Sequence, residues 1–175
     1  MRFIICIFLF LVIEVNGQEF KFEEVVKVDS TFTKDELYNQ ARKWIAQNSK
    51  LLVLGDRQKG ELSASSIYNY RTDEKYKGRS CVEGPIKYNV TLLVKDGRYK
   101  YIFSSFDHKG SHGNSCRPVD YGIITTSEEA PAKGKGIQYN LGYADVKRKL
   151  NELVDGMIKS LKSSMSTKYE GSGEW

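Results

Sequence analysis

At 175 residues the chain has room for one domain and a short tail rather than for two domains. With 40% hydrophobic and 28% charged residues and only three cysteines, its composition excludes wholesale disorder, a collagen repeat and a dense disulfide scaffold. The formal net charge is +5, all eleven tyrosines lie beyond the N-terminal apolar run, and nothing in these numbers specifies a reaction.

Arg2 and the α-amine make a short positive start, and residues 3–13 (FIICIFLFLVI) are apolar without a break. As a helix, that run spans about half of a ~30 Å hydrocarbon core, so it has the length of a signal-peptide core rather than of a membrane anchor. Val15-Asn16-Gly17 puts modest side chains where a signal peptidase inspects them. Cleavage is expected after Gly17, with Gln18 as the first mature residue, and no cysteine stands there to take a lipid. A buried N-terminal strand or helix is the alternative. Residues 1–17 hold one basic and one acidic residue, so the remainder keeps its +5 charge. With no second long apolar stretch, the expected product is exported, periplasmic or extracellular, without a membrane span.

Residues 20–28 alternate well enough for a strand, with Phe20, Phe22, Val26 and Val28 on one face and Glu24 interrupting it at a bulge or an edge. Thr33-Lys-Asp-Glu36 reads as a capping box, with Phe32 and Leu37 as the staple. The helix that follows carries Leu37, Ala41, Trp44, Ile45 and Asn48 on one stripe. Residues 51–54 read as a short strand and 56–60 as a polar turn. Residues 61–71 read as a strand with Leu62, Ala64, Tyr68 and Tyr70 on one face, and 75–84 as a charged loop.

Residues 85–106 give the clearest signal. Asp96-Gly97 suits a two-residue hairpin turn, which pairs Lys95 with Arg98 and so fixes every later pair. One face then collects Tyr88, Val90, Leu92, Val94, Tyr99, Tyr101 and Phe103. The other carries Lys87, Asn89, Thr91, Leu93, Lys95, Arg98, Lys100, Ile102, Ser104 and Phe106. Residues 107–140 form a long polar, Gly-rich connection with a short edge strand expected within 119–126. The last helix is expected over 144–166, with Val146, Leu150, Leu153, Met157, Leu161 and Met165 as its seam. Gly156 within it implies either close packing or plain tolerance.

Cys6 leaves with the signal segment. In the hairpin register, position 81 faces 112 and position 116 faces 77, so Cys81 and Cys116 fall near the hairpin's open end. An oxidising compartment and this geometry favour a Cys81–Cys116 disulfide over free thiols, and such a bridge stabilises by roughly 3–4 kcal/mol in the chain-entropy model.

Three groups of residues invite a functional reading. His108 and His112, with Asp107 and Cys116, have loose metal-ligand spacing, and His108 lies near Asp107 and Ser104 as a candidate general base. A solvated loop with two surface histidines is the favoured reading, so no metal and no catalytic residue is assigned. The Lys133-Gly-Lys-Gly136 run lacks the strand and the capped helix of a phosphate loop and reads as a flexible basic loop. The outer hairpin face is richer. Lys87, Lys95, Arg98 and Lys100 surround Leu93, Ile102 and Phe106, a pattern that suits an anionic ligand, a polysaccharide or a partner protein. Lys95 opposite Arg98 is repulsive unless something negative sits there. The competing expectation is a solvated face with incidental apolar residues, or one covered by 119–140. Asn89-Val-Thr91 matches a glycosylation sequon by pattern only.

The helix string 37–45 (LYNQARKWI) and the hairpin string 94–101 (VKDGRYKY) together resemble a family of uncharacterised, mostly exported bacterial proteins: a domain of unknown function with a TATA-binding-protein-like (TBP-like) fold. The resemblance covers roughly residues 20–106, with weaker support from the last helix. It implies a TBP-like β-α-β-β-β-β-α order. It implies no reaction and no cofactor, and a shared fold is no argument for DNA binding.

The expected organisation is a signal peptide at 1–17, one α+β domain at 18–168 with the long loop 107–140, and a frayed tail at 169–175. The domain is a curved antiparallel sheet with two helices packed on one face. The expected role is an exported cell-envelope binding or structural module, partnered by an envelope protein or an anionic polysaccharide and not by nucleic acid. The alternative is an envelope hydrolase or zinc protein built on 107–116.

Overall fold

Strand alternation and two amphipathic helices leave this chain one way to hide its apolar side chains, a sheet with both helices on one face. The computed structural model describes residues 17–49, 53–73, 75, 79–111, 117–131 and 137–167. Of the expected signal peptide only Gly17 lies among them. His112, Cys116, the Lys133–Gly136 run and the tail fall outside the described residues.

The elements are β1 (Phe22–Lys27), α1 (Lys34–Asn48), β2 (Val53–Asp56), β3 (Glu61–Tyr70), a helical turn α2 (Arg79–Val82), β4 (Gly84–Lys95), β5 (Arg98–His108), β6 (Gly122–Ile123) and α3 (Ile137–Ser166). The sheet runs β1-β5-β4-β3-β2, antiparallel at each junction, with β6 also pairing β5. No helix among the described residues is long and apolar enough to cross a membrane.

The inward face of the β4–β5 ribbon is the one that alternation dictates. Tyr88, Val90, Leu92, Val94, Tyr99, Tyr101 and Phe103 are all buried, and α1 and α3 cover them. Trp44 of α1 meets Phe103 edge-on and donates from its indole Nε1 to Ser160 of α3 at 3.1 Å. Leu37, Ala41 and Ile45 from α1, and Val146, Leu150, Val154, Leu161 and Met165 from α3, complete the core.

Helix α1 starts where the sequence places it. Thr33 accepts from the Glu36 amide and Glu36 accepts from the Thr33 amide, a capping box contributing about 1 kcal/mol. The hairpin tip is tied to the same spot. Asp96 accepts from the Lys34 amide at 2.6 Å, and the Gly97 amide donates to Phe32 at 2.9 Å. Gly97 has φ 66°, a conformation glycine adopts without steric cost.

Glu24, which interrupts the apolar face of β1, marks no bulge. Its carboxylate accepts from the Tyr101 hydroxyl at 2.6 Å and from Lys162 Nζ at 2.7 Å, linking the edge strand to α3. Helix α3 begins at Ile137, seven residues ahead of expectation. Its first turns are held by aromatic partners. Tyr121 donates to the Tyr139 carbonyl at 2.6 Å and packs edge-on against Tyr143, whose hydroxyl accepts from the Thr125 amide at 2.9 Å. These contacts put segment 117–130 on the helix side of the sheet, so it does not cover the outer face.

The hairpin register holds from Lys95↔Arg98 to Asn89↔Ser104 and then shifts by one, so that Lys87 faces Asp107. The cause is a bulge at Ser105, which adopts φ 56° and whose amide donates to the Glu19 carboxylate at 2.7 Å. This corrects two expectations. Phe106 does not lie on the outer face. The extra residue turns it inward, where it is fully buried against Tyr88, Phe20 and Phe22. His108, expected on a solvated loop, is likewise turned into the core at the end of β5.

Candidate functional site

The face of the sheet turned away from the helices is built by strict alternation. β1 contributes Glu23, Val25 and Lys27; β5 contributes Arg98, Lys100 and Ile102; β4 contributes Asn89, Thr91, Leu93 and Lys95; β3 contributes Glu61, Ser63 and Ser65. Three of these form a row across adjacent strands, since Lys27 faces Arg98 and Arg98 faces Lys95. Among the described residues none of the three belongs to an ion pair. Two gaps between strands put about 10 Å between the outer members of the row. Like charges in directly opposed positions repel, so the fold holds this row against an electrostatic cost.

One position further in, Lys100 sits between Val25 and Leu93. It bonds Glu23 at 3.0 Å, and that lysine is the chief reason the Glu23 carboxyl is held below its ordinary range. Val25, Leu93, Lys95, Arg98, Tyr99 and Lys100 line a recess of about 230 Å³ with apolar walls and cations at its rim. The carboxylate diagonal to Lys95, Glu61, faces Leu93 and forms no ion pair among the described residues. Beyond the recess the face is hydroxyl- and amide-rich, with Ser65 donating to Asn89 at 2.8 Å and Ser63 and Thr91 3.3 Å apart.

Of the residues the sequence nominates for this face, Lys95, Arg98 and Lys100 come together, with Ile102 half-buried beside them. Lys87 does not join them. It lies eight residues from Lys95 along β4, roughly 27 Å at strand rise, and faces Asp107. Phe106 is excluded by the bulge. Lys27 and Val25 were missed, because the hairpin sequence alone does not reveal that β1 pairs with β5. Asn89 of the sequon lies mid-strand and is engaged with Ser65.

His108 is placed for packing rather than chemistry. Its Nε2 lies 2.7 Å from the Val82 carbonyl, which can only accept, so Nε2 carries the proton. Its Nδ1 accepts from the Tyr121 amide at 3.4 Å. Both nitrogens are occupied, the residue is fully buried, and burial lowers its pKa. No group of three or more His, Cys, Asp or Glu is arranged for a metal among the described residues. Cys81 is buried in α2, and the Val119 amide donates to its carbonyl at 2.9 Å. A larger hollow of about 550 Å³ lies between α1 and β2. Its Arg57 is engaged with Asp35, Asn39 and the Tyr38 ring.

Comparison with known proteins addresses fold and family. A family model described as "Domain of unknown function (DUF4468) with TBP-like fold" matches residues 22–109, from the first residue of β1 to one residue past β5, half of the chain. The chain belongs to this family. The DUF4468 match spans the strands that build the open face, and the resemblance read over 20–106 is thereby shown. Two solved structures share the architecture. One is a TBP-like protein from Parabacteroides distasonis ATCC 8503, with 15% identity, a TM-score of 0.59, and 82% of this chain and 93% of that one covered. The other is a DUF4468 family protein from Bacteroides ovatus ATCC 8483, with 14% identity, a TM-score of 0.61, and 87% and 90% covered. At such identity they establish the TBP-like α+β fold alone. No curated protein matches the chain.

Proposed function

We propose that this DUF4468 chain is an exported, non-catalytic binding module of the cell envelope, whose open sheet face receives an anionic partner. The observation that carries the reading is the row Lys27–Arg98–Lys95. It is exposed, without an ion pair among the described residues, and set beside an apolar recess. A negative partner removes the repulsion within the row and gains area on Val25 and Leu93.

Export is supported by the apolar run at 3–13 and by where the fold takes up the chain. The Thr126 amide donates to the Gln18 carbonyl at 2.8 Å and Glu19 bridges Thr125, directly after the proposed cleavage at Gly17. Residues 18–168 are then one domain with a short tail. A Cys81–Cys116 disulfide suits that compartment, since Val119, three residues past Cys116, is bonded to Cys81.

The test is retention on an immobilised polyanion in low salt, comparing wild type with the Lys27→Ser/Lys95→Ser/Arg98→Ser variant after circular dichroism has shown both folded. Retention lost in the variant supports the reading; equal retention clears the face of this role. Intact mass of the protein from the envelope fraction, before and after reduction, checks export and the bridge. A start at Gln18 and a gain of two hydrogens on reduction are expected. An uncleaved cytoplasmic product refutes export, and an unchanged mass refutes the bridge.

A further inference from the structure

The partner's chemistry follows from what surrounds the row, and the inference rests on the anionic-partner reading above. Three cations set in a line over about 10 Å match a ligand whose charges repeat along its length. The recess behind them, about 230 Å³, falls below the usual range for enclosing a drug-sized molecule and suits one ring laid on its surface.

Three classes of polyanion fit a basic surface, and the rest of the face separates them. Single-stranded nucleic acid is held by stacking its bases on exposed aromatic rings. Every outward position of the described strands is non-aromatic; the sheet's tyrosines and phenylalanines all turn inward. An acidic protein needs a dry interface core with large apolar or aromatic anchors. Here Val25, Leu93 and Ile102 are aliphatic, none is aromatic, and charged residues interleave them, so they form no continuous dry core. A chain of sugars needs neither. It asks for groups that both donate and accept, and these continue from the recess along β3 and β4 as Ser63, Ser65, Asn89 and Thr91.

We infer that the open face binds an acidic polysaccharide laid across the strands, with successive carboxylates over Lys27, Arg98 and Lys95 and a sugar ring resting on Val25 and Leu93. Neighbouring hydroxyls meet the Thr91 and Ser63 side of the face. The contact is electrostatic and shallow, so it weakens as salt rises.

The probes are polygalacturonate, the same polymer after carboxyl reduction, poly-L-glutamate of matched charge, and oligo-dT, each titrated calorimetrically against the full chain at low salt. Polygalacturonate is expected to bind at least tenfold more tightly than poly-L-glutamate or oligo-dT. Carboxyl reduction is expected to abolish binding, and Leu93→Ser to weaken polygalacturonate severalfold while leaving poly-L-glutamate unchanged. Poly-L-glutamate or oligo-dT binding as well as polygalacturonate overturns the polysaccharide assignment and leaves the anionic-partner reading standing. If none of the polyanions binds, or the Lys27/Lys95/Arg98 triple variant binds all of them unchanged, both readings fall.

Discussion

Replacing Arg98 by Thr is expected to stabilise the free protein. Arg98 lies directly opposite Lys27 on one side and Lys95 on the other, so it takes part in two like-charge cross-strand pairs. Each such pair costs about 0.2–1 kcal/mol. The side chains are exposed, which places each near the lower end and their sum near ~0.5 kcal/mol. Threonine suits an outward strand position, so the exchange adds little propensity cost. In a domain of this size the gain raises the melting temperature by roughly 1–2 °C. Arg98→Glu converts both repulsions into attractions and is expected to roughly double the rise. The assay is thermal melting followed by circular dichroism, in about 10 mM and about 1 M salt. At the higher ionic strength the Debye length falls to ~3 Å, shorter than the strand spacing, and the gain should vanish. A gain of equal size in both salts, or a loss at low salt, refutes the claim that the row is held under repulsion.

Three further outcomes follow from packing. Phe106→Ala is expected to cost about 3–5 kcal/mol in denaturant melts, as a fully buried aromatic does, while Ile102→Ala on the half-buried outer face costs well under half of that; similar losses would contradict the bulge. Nothing lies within 4 Å of a Cβ built on Gly156, so Gly156→Ala should stabilise α3 by about 1 kcal/mol, and a loss in the same melt would mean hidden close packing. Burial holds the His108 pKa below its ordinary 6.5, so the folded state binds fewer protons than the unfolded state as the pH falls past that value. The stability that His108 contributes is therefore whole above about pH 6.5 and declines below it, toward the depressed native pKa. Urea melts of wild type and His108→Gln between pH 7.5 and 5 should show a steeper acid loss in the wild type, and parallel curves would refute it.

Much of this architecture was legible because its signals are local. Asp96-Gly97 fixed the hairpin register, Thr33 and Glu36 fixed the start of α1, and both follow from groups within four residues of each other. What escaped depends on partners far along the chain. The bulge at Ser105 is held by Glu19, 86 residues away, so strict alternation misassigned Phe106 and the strand was ended before His108. The early turns of α3 depend on Tyr121 and Thr125, which no helical periodicity announces. The site was half legible for the same reason. Lys95 and Arg98 share a hairpin, whereas Lys27 joins them only once β1 docks beside β5.

The tie between Asp96 and the first amide of α1 couples residues 62 positions apart. A ribosome makes the helix well before it makes the residue that completes its cap. A fragment ending ahead of the turn therefore carries a first helix without the Asp96 contact and without the ribbon that buries Trp44. The N-terminal third is not a detachable piece of this protein, and insertions at the Asp96-Gly97 tip will be felt at Lys34 as much as in the strands they interrupt.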